Sequence, residues 1–372
     1  MAAARAAGPL VRAPMNETLR VTEAGLYCEA GGFHIDPWQP VARALITHAH
    51  GDHARRDSAA YLAVADGLPL LRARLGDTAS IETVGYGEMR RIGSVDVSMH
   101  PAGHVLGSAQ IRIAHAGRVT VVSGDYKLAA DPTCVSFEAV SCDAFVTEST
   151  FGLPVYRWDA PEETIRAIAD WWAANREAGV ASVLFVYALG KAQRVLAGLQ
   201  AASQALPGPI YCHGAVERVN AAYRDAGVPL PTTHAVASAP AGTDWTNALV
   251  LAPPSAQGST WMRRFDPCRT AFASGWMAIR GARRRRNLDR GFILSDHADW
   301  GGLNTAIAAS GAEEVFVTHG YRDELVRWLV DEGRRAQAVV TRFEGEAGDE
   351  AASSVDPGNF AADTPSDASP GR

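Results

Sequence analysis

The amino-acid sequence predicts an α/β fold in which sheets are covered by helices. Short apolar segments recur along the chain, and each of them runs into a histidine, aspartate or glutamate. Between these segments, apolar residues recur at the three- and four-residue spacing of amphipathic helices. Apolar strands that alternate with helices are typical of sheets with helices on their faces. We therefore expect the strands to lie side by side and to gather these polar side chains on one rim of one sheet.

Length and composition are those of a globular protein without a membrane span. The chain has 372 residues, of which 47% are hydrophobic and 20% charged, and this length predicts about two domains. Its apolar runs are far shorter than the ~20 residues that cross a bilayer. The five cysteines are scattered and form no Cys-x-x-Cys pair, which indicates free thiols and argues against a structural zinc finger. We therefore expect a cytoplasmic protein.

Both ends of the chain differ in composition from the rest. Residues 1–15 are rich in alanine and lack an apolar signal core, which predicts a disordered end; a degenerate organellar transit peptide is the alternative. Residues 344–372 contain seven acids and one base, which accounts for the whole net charge of −6. Because this acidic tail has almost no large apolar residue, we expect it to be disordered and to act only as a solvating segment.

The most informative stretch is residues 44–53, where a short apolar run is followed by His48, His50, Asp52 and His53. In an extended loop, His48 and His50 point to the same side because side chains alternate. The chain turns at the next glycine, so Asp52 and His53 can face a second point. Imidazole and carboxylate suit a borderline divalent metal such as zinc, and the spacing offers ligands for two metal sites. A chance run of histidines is the alternative, which this density of imidazole disfavours.

Later strands add further candidate ligands at their ends. His104 lies in a glycine-bounded loop after a strand, and Asp125 follows a buried strand and a glycine, where it can bridge two metals. Glu148, His297 and His319 occupy corresponding positions after later apolar runs. The sequence leaves open whether Asp36, which precedes the histidine loop, orients a ligand imidazole or is an ordinary turn residue.

The stretch between Glu148 and His297 reads as a separate α/β unit inserted into the first domain. We expect a helix near Pro161 that Asp159 can cap, and another that opens at Gly190. The predicted strands of this unit lie at residues 181–187, 209–212 and 247–252.

Two basic features of the insert suit a polyanionic substrate. Lys191 and Arg194 lie at a glycine-led helix start, where free N–H groups already favour an anion. Residues 280–286 contain five arginines shortly before His297. A solvated surface is the alternative for this run, but a cationic strip beside a metal centre would attract phosphates. The predicted phosphate-binding residues are Lys191, Arg194, Arg283, Arg284, Arg285 and Arg286.

These residues together resemble a known family. Asp36, the loop from His48 to His53, His104 and Asp125 resemble the signature of the metallo-β-lactamase fold. The three later groups, Glu148, His297 and His319, resemble the A, B and C motifs of the β-CASP nucleases. Finer segments resemble the bacterial ligase-associated DNA exonucleases: PAGHVLGSAQ, SGDYK, TESTFGLPVYRW, YALGKAQR and SDHADW. The similarity extends over roughly Leu19 to Phe343.

The resemblance implies a metallo-β-lactamase αββα sandwich with an inserted α/β β-CASP domain. Residues 16–150 and 291–343 would form the sandwich, and residues 151–290 the insert. The disordered segments would be residues 1–15 and 344–372.

The resemblance also implies a ligand set for two divalent metal ions, with Zn²⁺ favoured over Mn²⁺. Two such ions ~3.5–4 Å apart lower the pKa of a bridging water and clamp a phosphoryl oxygen. His297 would donate a proton, oriented by Glu148. The ligands of the first metal would be His48, His50 and His104, those of the second Asp52, His53 and His319, and Asp125 would bridge them. The residues thus implied in catalysis are His297, Glu148, Asp52 and Asp125.

The activity that the resemblance implies is that of a DNA exonuclease in DNA repair, functionally associated with a DNA ligase and a helicase and not with a membrane. However, a histidine at the C motif, here His319, is more typical of RNA-acting members, so an RNA-processing ribonuclease stays open. A small-molecule hydrolase would not need the insert. An inactive scaffold protein would not keep the ligand set intact.

Overall fold

The computed structural model describes residues 15–202, 205–279, 281 and 286–343. Its first sheet contains, in spatial order, β1 (Arg20–Thr22), β2 (Gly25–Cys28), β3 (Phe33–Ile35), β4 (Ala44–Leu45), β5 (Tyr61–Val64) and β6 (Ile81–Val84). The second sheet contains β7 (Arg90–Ile92), β8 (Val95–Pro101), β9 (Ala109–His115), β10 (Arg118–Val122), β11 (Ala144–Ser149), β18 (Glu314–Gly320) and β19 (Arg335–Ala338), again in spatial order. Each sheet is antiparallel at one end and parallel at the other.

The two sheets pack face to face and share an apolar core. In β9, Ala109, Ile111 and Ile113 point to this core with the period of two that a half-buried strand requires. They pack in one cluster with Phe33 and Ile35 of β3. This alternation leaves the opposite face of each sheet free to accept helices.

Helices cover both outer faces of this pair of sheets. On the first sheet lie α1 (Leu68–Leu75) and α4 (Gly214–Asp225), whose Leu71 and Tyr223 pack against Tyr61. On the second sheet lie α5 (Trp300–Ser310) and α6 (Arg322–Asp331), whose Leu303 and Leu325 pack in the same cluster as Phe145. The order of layers is therefore helix, sheet, sheet, helix, which confirms the predicted α/β sandwich.

The third sheet is entirely parallel and lies between the two parts of the second sheet in sequence. In spatial order it contains β14 (His234–Ala235), β13 (Ile210–Cys212), β15 (Leu249–Ala252), β12 (Ala181–Phe185), β16 (Cys268–Ala273) and β17 (Arg290–Phe292). One face is covered by α4 together with α2 (Pro161–Glu177) and α3 (Lys191–Ala202). Short 3-10 helices occupy Ala65–Gly67, Val236–Ser238, Pro254–Ala256, Thr260–Phe265 and Gly275–Ala278.

The expectation of one shared rim on one sheet is wrong. The histidine loop follows β4 of the first sheet, Asp125 follows β10 of the second, and His297 follows β17 of the third. Long-range strand pairing decides sheet membership, and short-range patterns carry no information about it. A smaller correction concerns α2, which begins at Pro161 without a side-chain cap, so Asp159 does not cap it. The helix predicted to open at Gly190 is confirmed as α3.

The division into a sandwich of residues 16–150 and 291–343 and an insert of residues 151–290 stays a proposal, and β17 lies across its second boundary. The predicted disordered segments, residues 1–15 and 344–372, lie outside the described residues except for Met15. Within the described ranges, none of the helices combines the length and apolar character that a bilayer span requires.

Candidate metal centre

The structure brings all the predicted ligand and acid–base side chains into one buried cluster where the three sheets meet. The cluster contains His48, His50, Asp52, His53, His104, Asp125, Glu148, His297 and His319. Gly124 has a φ of +57°, and a Cβ added there would lie 2.7 Å from the Thr47 side chain. A glycine is therefore needed for the Asp125 loop to approach the histidine loop so closely.

Four of these side chains form a compact first group. The ligand atoms of His48, His50, His104 and Asp125 all lie within 4.8 Å of one another. His104 Nε2 lies 3.0 Å from His50 Nδ1, and His48 Nε2 lies 3.6 Å from Asp125 Oδ2. This arrangement coincides with the ligand set expected for the first metal.

A second group of side chains also lies around Asp125. His53 Nε2 is 3.5 Å from Asp125 Oδ2 and 3.6 Å from Asp52 Oδ2. His319 Nε2 is 3.0 Å from Asp125 Oδ1. Asp125 thus directs its carboxylate oxygens towards both groups, which is the geometry a bridging ligand requires.

The outer nitrogen of each candidate ligand histidine donates to an oxygen. His48 Nδ1 lies 3.0 Å from the Thr47 hydroxyl and His319 Nδ1 lies 3.2 Å from the Thr318 hydroxyl, and each threonine donates its own proton elsewhere. The other acceptors are Leu189 O for His50 Nε2 at 3.3 Å, Asp36 Oδ2 for His53 Nδ1 at 2.8 Å, and Asp296 O for His104 Nδ1 at 2.7 Å. These contacts leave the inner nitrogens unprotonated in neutral imidazoles, with their lone pairs directed at the cluster.

Asp36 orients the histidine loop, which decides between the two alternatives left open for it. Its carboxylate accepts from His53 Nδ1 and also from the Thr47 amide at 2.8 Å and the Thr47 hydroxyl at 2.5 Å. Asp36 has a φ of +42°, a conformation that L-residues rarely adopt. Three contacts compensate for this strained backbone.

The donor set fits a cation. Among the described residues, the buried atoms without a hydrogen bond include His48 Nε2, His53 Nε2, His319 Nε2 and Asp125 Oδ1. Unsatisfied buried polar atoms are uncommon and destabilising, and these converge on one place. Imidazole nitrogens and carboxylate oxygens that share one small volume are the ligands that zinc and similar divalent ions prefer. The chemistry of these residues therefore suits divalent metal ions.

The electrostatics point the same way. Burial lowers the pKa of His48 and of His104 well below the usual value, aided by neighbouring histidines. Burial alone would also lower the pKa of His53, but Asp52, Asp125 and Asp36 raise it to about 10. The cluster thus attracts positive charge near its carboxylates while the rings of His48 and His104 stay neutral, as metal ligands must.

His297 and Glu148 form a separate pair beside the two groups. His297 Nδ1 lies 2.8 Å from Glu148 Oε2, and the Tyr126 amide donates to Glu148 Oε1 at 2.8 Å. The ligand atoms of His297, Glu148 and Asp125 lie within 4.8 Å of one another. This distance permits His297 to act either on a bound substrate or as a ligand, so its role as an acid stays a proposal.

The predicted phosphate-binding residues are not all on the surface. Lys191 and Arg194 are buried and contact Asp296 and Asp131, which makes them members of an internal ion-pair network. Arg286 is half-buried, with its guanidinium over the Phe272 ring at 4.8 Å. Arg283, Arg284 and Arg285 lie outside the described residues.

Several functional residues escaped the sequence analysis. The threonines Thr47 and Thr318 escaped it, because the dipeptide Thr-His also occurs at Thr233, outside the cluster, and therefore does not single them out. Phe343 stacks on the His53 ring with centroids 4.5 Å apart, and no sequence pattern marks it. The remaining missed groups are Leu189, Lys127 and Asp131.

Comparison with known proteins finds nucleic-acid enzymes. No protein-family model matches this chain. A probable DNA ligase of Opitutus terrae is 30% identical over 319 residues, which are 85% of this chain and 30% of that protein. Endoribonuclease YSH1 of Gibberella zeae is 36% identical over 121 residues, and that of Saccharomyces cerevisiae is 31% identical over 118 residues. Each match covers 31% of this chain; it covers 14% of the Gibberella zeae protein and 15% of the Saccharomyces cerevisiae protein.

These curated relatives are much longer than the matched region, since the chain spans at most 30% of any of the three. A solved structure of a protein of unknown function from Enterococcus faecalis superposes with a TM-score of 0.56 at 12% identity. It covers 81% of this chain and 80% of that one. At this identity the likeness shows the fold alone.

Proposed function

We propose that this chain is a metal-dependent nuclease that hydrolyses phosphodiester bonds. The observation that carries the proposal is the convergence of imidazole nitrogens on Asp125, three of which, on His48, His53 and His319, have no hydrogen bond among the described residues. The similarity to endoribonucleases and to a probable DNA ligase supports an activity on nucleic acid.

Two divalent ions would occupy the two groups. His48, His50 and His104 would hold one, and Asp52, His53 and His319 the other, with Asp125 shared between them. Zinc suits this mixture of nitrogen and oxygen donors best, and Mn²⁺ is the second candidate. When bound, such ions lower the pKa of water and stabilise the charge that develops on a phosphoryl oxygen.

The chain's own residues would supply orientation and a proton. The outer contacts of the ligand rings fix each imidazole in one tautomer, so that the donor atoms are preorganised. His297 would donate a proton to the leaving ribose oxygen, which leaves poorly as an alkoxide. Glu148 holds the ring through Nδ1, so Nε2 is the nitrogen that would carry this proton.

DNA is the substrate we favour. The match to the probable DNA ligase extends over 85% of this chain, whereas the matches to endoribonucleases extend over 31%. An exonuclease that works in DNA repair beside a ligase and a helicase is the specific proposal. An RNA-processing nuclease is the second candidate, which the endoribonuclease matches and the histidine at position 319 favour.

The test is a cleavage assay with matched substrates. Metal-loaded protein is given DNA and RNA of the same sequence, labelled at one end or the other. We expect DNA to be shortened from its ends, with Asp125→Asn as the inactive control. Faster cleavage of RNA would transfer the proposal to the second candidate. Cleavage of neither polymer by protein that holds its metals would contradict the nuclease function.

A further inference from the structure

We infer that Lys191 and Arg194 on α3 are positioning residues, which hold the loop of the proposed acid His297 through a buried charge network and do not contact the substrate's phosphates. The inference rests on the proposed function, because it assigns a cause to the orientation of the proton donor. It also assigns the third sheet and its helices a part in catalysis, which is to position the acid.

The network consists of five charged side chains in the protein interior. Arg194 lies between two carboxylates, with Nη1 3.3 Å from Asp296 Oδ1 and Nε 3.4 Å from Asp131 Oδ2. Lys191 Nζ lies 3.5 Å from Asp296 Oδ2, and Lys127 Nζ lies 2.9 Å from Asp131 Oδ2. None of these side chains exposes more than 5% of its surface. Their charged groups therefore contact one another and not bulk solvent, and Lys127 and Arg194 also line an open pocket beside His297.

The network is tied to the acid's loop by direct contacts. Arg194 Nη1 donates to the Ser295 carbonyl as well as contacting the Asp296 carboxylate. These are the two residues that precede His297. The Ser295 hydroxyl then accepts from the His297 amide at 3.1 Å. A single guanidinium thus fixes both the backbone and a side chain immediately before the acid.

The same network reaches the ligand His104. Lys127 Nζ donates to Gly103 O at 2.6 Å and to His104 O at 3.1 Å. The Asp296 carbonyl accepts from His104 Nδ1 at 2.7 Å. The loop of the candidate ligand His104 and the loop of the acid are therefore held against each other, so the distance between His104 and His297 depends on this network.

The chain permits a close approach at the point where α3 begins. Gly190 has a φ of +90°, and a Cβ added there would lie 2.4 Å from Val105 Cγ1 and 3.5 Å from Asp296 Oδ2. Only glycine fits both the backbone conformation and this space. The start of α3 is thus shaped to lie directly against the loop after His104 and the Asp296 carboxylate.

Packing alone does not restrain the acid's loop. Ser295, His297 and Ala298 border an open pocket of about 270 Å³, and Lys127, Arg194 and Trp158 also line it. Because the loop borders this open space, it depends on polar contacts such as those from Arg194 to stay in one place.

The experiment compares Arg194→Met and Asp296→Asn with wild type on two DNA substrates. One has the normal leaving oxygen, and the other has sulfur in its place, which needs little protonation. We expect both variants to lose about 10- to 100-fold in kcat on the oxygen substrate, because a small displacement of a catalytic group has an effect of that size. The sulfur substrate should recover most of this loss. Both ions and the salt dependence of DNA binding should be unchanged.

Two controls make the comparison decisive. Arg327→Met removes an exposed arginine on α6 and should match wild type on both substrates. Circular dichroism checks that each variant folds. If Arg194→Met does not fold, Asp296→Asn carries the comparison alone, because asparagine keeps the shape of the side chain. Arg194→Lys keeps the charge but not the fork of donors, and should restore part of the rate.

Three results would overturn the positioning role while leaving the nuclease function in place. In the first, wild type is active and the variants cleave both substrates more slowly by the same factor. In the second, the slope of log affinity against log salt becomes shallower by about 0.7 for each phosphate that the variant no longer binds. In the third, the folded variant loses an ion. The first two indicate direct binding of phosphate or general damage, and the third an action through His104. A wild type that cleaves neither substrate would instead overturn the proposed function.

Discussion

Asp125 is the residue on which the candidate metal centre depends most. It follows β10 through a glycine that no larger residue can replace, and its carboxylate lies close to histidines of both groups: Oδ2 to His48 and His53, and Oδ1 to His319. Loss of any one of the candidate ligands other than Asp125 would affect one group, whereas a change at Asp125 alters both. The consequence is therefore different in kind from that of the other ligands.

Asp125→Asn is expected to abolish binding at both sites. The amide keeps the size of the side chain but removes the charge that balances two cations, so the remaining neutral histidines bind weakly. Elemental analysis of purified protein should show two ions per chain in wild type and far less than one in the variant. Asp96→Asn, at a partly exposed carboxylate of β8, should keep both. A fully loaded wild type with at most one ion per chain would contradict the two-metal centre.

His297→Ala is expected to separate chemistry from binding. The two groups of ligands are complete without this side chain, so both ions and substrate affinity should remain. The rate should fall by about 10²–10⁴-fold, the usual contribution of general acid catalysis. A substrate with a sulfur leaving group should recover much of that loss. If the variant loses an ion, or if sulfur gives no recovery, His297 is a ligand or a positioning group.

At the scale of elements, the sequence predicts what lies at the end of a strand but not which strands are neighbours. The histidine loop, Asp125 and His319 follow short apolar runs, which periodicity identifies. In contrast, β11 pairs with β18, and β17 joins the third sheet, although nothing local marks either pairing. Ion pairs between distant residues are likewise not predictable from local sequence: Lys191 pairs with Asp296, which lies far away in sequence and which only the fold brings close.

The arginine segment between β16 and β17 carries a prediction at this scale. If Arg283, Arg284, Arg285 and Arg286 follow a phosphate backbone, replacing them with glutamine should weaken binding to every sequence alike. The slope of log affinity against log salt should become shallower by about 0.7 for each phosphate of a single strand that is no longer bound. Fluorescence anisotropy over a range of salt concentrations measures this. Unchanged affinity and slope would identify the segment as a solvated surface.

At the scale of the whole molecule, the candidate centre lies where separate structural layers converge. Helix α4 packs on the third sheet through Val216 and on the outer face of the first sheet through Tyr223. The Tyr223 hydroxyl also lies 3.3 Å from the Leu106 amide, close to the His104 loop. The ligands from the first two sheets and the proposed acid from the third can keep a fixed geometry only while these layers stay packed, so the centre and the fold should be stabilised together.

Removal of metal should therefore lower the stability of the whole chain. Without ions, buried imidazole nitrogens among the described residues are left unsatisfied, and the carboxylates of Asp52 and Asp125 share His53 as a cationic partner, whose pKa they help to raise to about 10; both effects oppose folding. An ion that binds only the folded state stabilises it by about 2.7 kcal/mol at a free concentration 100 times its Kd. Calorimetry with and without a chelator should show a clear fall in Tm for wild type. The same treatment should have little effect on Asp125→Asn, which has no ions to lose. An equal fall in both proteins would mean that the chelator acts elsewhere, and no fall in wild type would mean that the folded chain does not depend on bound metal.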